Sequence, residues 1–354
     1  MSHFSVLVIG NDVEKQLQPY HEFECTGEND EFVQDVDKTD EARTEFSEQT
    51  ETRLKASDGS LHSFFDGNGN WRPEFSQPDP DAPSFAPGRR TRFVPPGYEL
   101  VEVPAAQVRT FADWLAGWYG MALVPFGEAP DTESTHKFGY IMLDEAGNVT
   151  KAIKRTNPRK QWDWWVVGGR WSGFLKLKDG ATGARGRPGL MGACSHDGPG
   201  RADVARKGDV DFGGMRDAAG DKAAERWDKA AEIHRGRTWE PWSVVGPRTG
   251  YNDVARELYH GQTVVQELRK VFDNPFHGID EYLTPRNEYI QAAREAAVAP
   301  YAIVKYGQWL AKGEMGWFGI STDHGSESEW NGKVNELLDG LPDDTIITVV
   351  DCHI

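Results

Sequence analysis

The clearest pattern in the chain is a pair of apolar runs near its two ends. Residues 4–9 are short, β-branched and apolar, and they stop at Gly10-Asn11-Asp12. That is the pattern of a buried strand followed by a turn. Residues 345–350 are as apolar as the first run. Both are therefore expected inside one sheet, as neighbours.

Between them the periodicity changes several times. Residues 98–103 read as a strand. Residues 105–118 place Val108, Phe111, Ala112, Leu115 and Trp118 at spacings of three and four, an amphipathic helix ended near Gly120. Residues 138–144 and 149–154, joined through Gly147-Asn148, predict a β-hairpin. Residues 162–167 and 171–177, divided by Gly168-Gly169, predict two strands or one bulged strand.

A helical block follows. Residues 211–234 predict a helix interrupted at Gly220, because an interior glycine costs about 1 kcal/mol relative to alanine. Residues 252–272 predict a second helix. Thr284 as N-cap and Pro285 in the first turn open a third, running to Val298. Residues 301–306, 309–311 and 317–321 return to strand character, and residues 327–338 to helix.

Two stretches lack a period. Residues 22–51 are rich in Asp, Glu and Thr, and residues 66–92 in Asp, Gly, Pro, Ser and Asn. Residues 28–92 are expected to be an acidic, Pro/Gly-rich irregular segment, of the kind that forms lids or stays disordered. The fold class is α+β: one mixed, largely antiparallel sheet including both chain ends, with a helical insertion over residues 202–298. Residues 1–354 are expected to form a single compact unit, without internal repeats.

Composition narrows the function classes. Hydrophobic residues make up 38% of the 354, including 13 Trp, enough to build a sizeable core. Acidic residues outnumber basic ones, 56 to 39, for a net charge of −17. Such a chain repels phosphate backbones and anionic membranes, so direct nucleic-acid binding is not expected. A small anionic ligand held by a few arginines, or a basic host protein, fits better. Cys25, Cys194 and Cys352 are odd in number and lack C-x-x-C spacing, which suits a reducing compartment. The first residues lack a basic region and a cleavage site, and no run reaches the roughly 20 apolar residues of a membrane helix. A cytoplasmic location is the expectation.

The densest chemistry lies at residues 157–174. Trp162, Trp164, Trp165 and Trp171 fall within ten residues, with Asp163, Gly168, Gly169 and Arg170 among them. Tryptophans stack on a planar group, and an arginine fork grips phosphate or carboxylate. In that reading the tryptophans and Gly168-Gly169 line a pocket, Arg170 grips an anion, and Asp163 orients Arg170 or acts as a base. The plainer reading is a Trp-rich core in which Asp163 and Arg170 pair with each other or with backbone.

This block, Asn157-Pro158 through Trp162-Asp163-Trp164-Trp165 to Gly168-Gly169-Arg170-Trp171-Ser172-Gly173, resembles one in uncharacterised proteins of phages and actinobacterial genomes. The run from Ser2 to Gly10, the run from His21 to Gly27, the run from Asp203 to Met215 and the ending Asp351-Cys352-His353-Ile354 are similar to that group too. The resemblance implies a phage or mobile-element origin and the host cytoplasm, and it carries no mechanism.

Three further constellations carry candidate chemistry. His21, Cys25, Cys352 and His353, with His3 nearby, would suit zinc if the ends converge. Adjacent Cys352 and His353 point to opposite faces of a regular strand, which favours a buried Cys and a hydrogen-bonded His. Asp209 and Asp211 would suit Mg²⁺ beside a substrate phosphate, or else cap a helix. Glu314 and His324 follow the acid–base chemistry of carboxyl and imidazole groups, or else sit in surface turns. The functional expectation is a protein that binds or processes a small anionic, nucleotide-like ligand, with enzyme or binding protein left open. The alternative is an acidic, non-enzymatic interaction protein that inhibits a host factor or mimics DNA.

Overall fold

The computed structural model describes residues 2–82, 86, 88–189, 196–272, 279–315 and 321–354. The fold is α+β, with the sheet of both chain ends that the sequence predicts. The chain divides into two compact units, Met1–His21 with Gln161–Ile354, and Glu22–Lys160. Sequence periodicity finds elements but not the contacts between them, so it does not see this division.

The first unit carries a mixed sheet. Its strands run in the order Arg187–Pro188, Trp164–Gly169, Ile346–His353, His3–Ile9, Ala302–Lys305 and Gln308–Ala311. The two end strands pair antiparallel from His3↔His353 to Ile9↔Ile347, while His3–Ile9 and Ala302–Lys305 run parallel. The far edge of Ile346–His353 is shared. Trp164–Gly169 takes its C-terminal half and Val204–Arg206 its N-terminal half.

Both faces of this sheet are covered, which explains the unbroken apolar runs. Phe4, Val6, Val8, Val350 and Cys352 pack with Leu17, Tyr20 and Trp162 on one face. Leu7, Ile9, Ile347 and Val349 pack on the other with Phe212 and with Val334 and Leu338 of the helix Glu327–Asp339. That helix opens on a capping box between Ser326 and Glu329.

The helical block begins after the short strands at residues 201–206. Phe212–His234 is one continuous helix, not interrupted at Gly220. There a Cβ would stand 2.9 Å from Arg294 Cγ, so close packing of Arg286–Ala296 calls for glycine. Residues 252–272 form two helices, Asp253–Gly261 and Thr263–Arg269, and Trp242–Thr249 adds a helix that periodicity missed. The predicted N-cap Thr284 is replaced by Pro285. Of the predicted strand over residues 317–321, only Ser321 lies within the described residues, at the start of Ser321–Asp323.

The second unit has a four-stranded sheet, Gln34–Asp37, Val149–Thr156, Gly139–Leu143 and Ala122–Val124. The helices Thr39–Glu48 and Phe111–Tyr119 bury Ala42, Trp114 and Leu115 against Ile141 and Ala152. A smaller sheet joins Leu61–His62, Thr50–Ala56 and Tyr98–Pro104. Much of the segment expected to be irregular is therefore ordered. Its helix Thr39–Glu48 shows only Ala42 and Phe46 to the core, too narrow a stripe to register as a period.

Candidate functional site

Alternation along the two end strands sends His3, Ser5, Leu7 and Ile9 to one face, with their partners Ile347, Val349, Asp351 and His353. The inner half of this face is apolar and joins the core. The outer half is polar, and Asp351 and His353 are buried there. Buried polar groups need partners, and these have them.

Two histidine–aspartate pairs form. His353 Nδ1 donates to Asp163, 2.7 Å from Oδ1 and 2.9 Å from Oδ2. The Asp163 N–H in turn donates to the His353 carbonyl at 2.9 Å. His3 Nδ1 donates to Asp351 Oδ1 at 2.9 Å, and Asp351 Oδ2 accepts the Arg170 N–H at 2.9 Å. The two imidazoles meet edge to face with centroids 4.9 Å apart. Trp164 lies nearly parallel to His353, 5.1 Å away at 16°, and is 44% exposed. A carboxylate on Nδ1 fixes tautomer and ring orientation and turns Nε2 outward. Among the described residues neither Nε2 has a partner.

His21 supports the same corner. Its ring stacks on Trp162 at 4.2 Å, and its Nε2 is hydrogen-bonded to the Asp163 carbonyl at 2.9 Å. The sequence-predicted residues His21, Asp163, Trp164 and His353 are therefore brought together, joined by His3. Sequence reasoning missed Asp351 and Asp203 as partners. Their signal was an acidic residue in or beside an otherwise apolar strand.

Gly168-Gly169-Arg170 has a structural cause. Asp203 is fully buried and accepts from the Gly186 N–H at 2.7 Å, the Ser172 hydroxyl at 3.2 Å and the Gly173 N–H. Gly168 and Gly169 hold φ of 82° and 53°. A Cβ on Gly168 would stand 2.7 Å from Asp203 Oδ2, and one on Gly169 2.4 Å from Asp351 Cβ. The loop thus wraps backbone N–H groups around two carboxylates, and only glycine leaves room.

The expected four-tryptophan pocket is not assembled. Trp162 is buried in the core and donates to the Leu17 carbonyl at 3.1 Å. Trp165 packs on that same face, and Trp171 packs against the other core cluster. Trp164 alone joins the histidines. The strand begins only at Trp164, so Trp162 escapes the alternation that would have paired them. Asp163 orients His353 rather than Arg170. Among the described residues the Arg170 guanidinium makes no hydrogen bond or ion pair.

The metal expectations fare differently. Cys352 faces the core opposite to His353, where burial pushes its thiol pKa well up. Cys25 belongs to the second unit, and Cys194 lies outside the described residues. Among the described residues no cluster of three His, Cys, Asp or Glu is placed to hold a metal. Asp211 caps the helix Phe212–His234, accepting from the Gly214 N–H at 2.8 Å and pairing with Lys176 at 2.7 Å. These bonds hold its carboxyl pKa below the ordinary value. Asp209 sits in a single turn before it. Glu314 and His324 stand 4.0 Å apart as exposed side chains, a surface contact. The glycine–aromatic run at residues 316–319 between them lies outside the described residues.

No protein family, curated protein or solved structure matches this chain. Among the described residues no helix is long and apolar enough to cross a membrane.

Proposed function

We propose that the chain binds a small anionic, nucleotide-like ligand at the outer end of this sheet, and that it belongs with the phage-type proteins its motifs resemble. One observation carries the reading. Two imidazoles, each fixed through Nδ1 by a carboxylate, present unpartnered Nε2 atoms beside the exposed face of Trp164. Trp164 supplies a platform for a planar base, and each Nε2, an acceptor while Nδ1 carries the proton, can take a hydrogen bond from the ligand. The same pair can move a proton at a bound ligand, which is what general acid–base chemistry needs. Arg170 adds a cation one residue after the glycine pair. Calorimetric titration with a nucleotide panel tests the reading. Binding that Trp164→Ala and His353→Gln both weaken supports it, and wild-type affinity in both variants would sink it.

The net charge of −17 favours a second reading, an acidic partner for a basic host protein. It predicts salt-sensitive association. A low-salt pull-down from host lysate that recovers nothing basic would count against it.

A further inference from the structure

Acidic residues outnumber basic ones in this chain, and several arginines of the first unit find a carboxylate. Arg216 pairs with Asp339, Arg237 with Glu267, and Arg286 with Asp228. Around the loop after Gly169 the arginines are differently placed. Among the described residues Arg170, Arg187 and Arg201 have no carboxylate partner. Arg201 is half-buried and donates to the Phe174 carbonyl at 3.3 Å. Arg185 donates to Ser172 Oγ at 3.3 Å, two residues away on the same turn. Its nearest carboxylates stand at 4.0 Å: Asp203, already held by three loop donors, and Asp197, which is 95% exposed.

Two guanidiniums thus converge on one turn, Arg201 on the Phe174 carbonyl and Arg185 on Ser172 and, at 3.2 Å, the His196 carbonyl. Burial, and secondarily the Arg185 charge, push the Arg201 pKa down. The turn is continuous with the histidine site. Asp351 binds His3 and the Arg170 N–H, and the neighbouring Val349 N–H donates to the Asp203 carbonyl at 2.8 Å. Guanidinium forks suit phosphate oxygens, and several in a row suit a chain of phosphates.

We propose that the ligand's anionic end is a phosphate chain held by Arg185 and Arg201 across the turn from Ser172 to Phe174, so that nucleoside triphosphates bind more tightly than monophosphates. This rests on the nucleotide reading above and names its ligand class.

The test is titration of the full chain with a nucleoside monophosphate, its triphosphate, inorganic tripolyphosphate and citrate. The triphosphate is expected to bind at least about tenfold more tightly than the monophosphate, the effect of about 1.4 kcal/mol. Arg185→Gln and Arg201→Gln should each remove most of that preference. Arg201→Lys should restore only part, because an ammonium lacks the fork. Thermal melting identifies a variant that fails to fold, in which case Arg185→Lys and Arg201→Lys are titrated in its place and should each lose part of the preference. Equal affinity for mono- and triphosphate overturns the proposal, as does an unaltered preference in the folded variants or tighter binding of citrate. Tripolyphosphate binding lost in the arginine variants supports the cradle, and nucleotide binding that Trp164→Ala leaves unchanged removes the base platform. Nucleotide binding lost in Trp164→Ala, with silent arginine variants, keeps the platform and overturns the cradle.

Discussion

The His3 imidazole and the Asp351 carboxylate, 348 positions apart in the chain, lie 2.9 Å from one another on adjacent strands. The contact follows from antiparallel register: His3 faces His353, and Asp351 sits two residues inward on the same face. Strand pairing makes the aspartate a partner for the ring, and the loop at Arg170 supplies its second hydrogen bond.

Trp164 and the His353–Asp163 pair should affect ligand binding more than folding. Trp164→Ala removes a half-exposed platform worth about 1–3 kcal/mol per stacked base. Asp163→Asn leaves His353 without its carboxylate and should lower affinity about tenfold, the loss of one charge-assisted bond. Titration calorimetry beside a melting curve separates the effects. A large drop in melting temperature with unchanged binding would assign these residues to structure alone.

Asp203 should behave in the opposite way. Asp203→Ala leaves the Gly173 and Gly186 N–H groups without their acceptor in a buried site. The expected cost is about 3 kcal/mol or more. Urea unfolding measures it, and a midpoint equal to wild type would refute the account of the loop.

Gly169→Ala tests the close approach. Its Cβ would stand 2.4 Å from Asp351, at a φ of 53°. Displacing Asp351 breaks the bond to His3, so stability should fall by about 2 kcal/mol, within the range for strained backbone sites. Unchanged unfolding free energy would show that the loop relaxes freely.

Asp211→Asn should show a signature in pH. Lys176 first, then the Gly214 N–H, hold the carboxyl pKa below its ordinary 3.8. A depressed folded-state value means the stabilisation is complete above 3.8 and is lost as pH falls through the lower folded value. The variant should cost about 0.5 kcal/mol near neutrality, the loss of the charge pairing with Lys176, since asparagine still caps the helix. The gap from wild type should close in acid. A gap that persists at low pH would mean that the carboxylate charge contributes nothing.

Local rules carried much of the architecture. Apolar runs at residues 4–9 and 345–350 specify buried strands wherever they pack, because only a covered sheet hides both faces of such a run. The hairpin near Asn148 and the helices beginning at Phe111 and Glu327 are equally local, set by turn residues, caps and spacing. The sequence also singled out the Asp163–Arg170 block by its composition. What that block does was decided by tertiary structure. Gly168 and Gly169 read as a ligand loop, yet their space is taken by Asp203 and Asp351 from elsewhere in the chain. The tryptophans read as the walls of one pocket, yet a late strand start sends Trp162 to the core and leaves Trp164 with the histidines. Alternation fixes which face a side chain takes within a strand. Which strands become neighbours, and so which carboxylate meets which imidazole, depends on long-range pairing that no local pattern records.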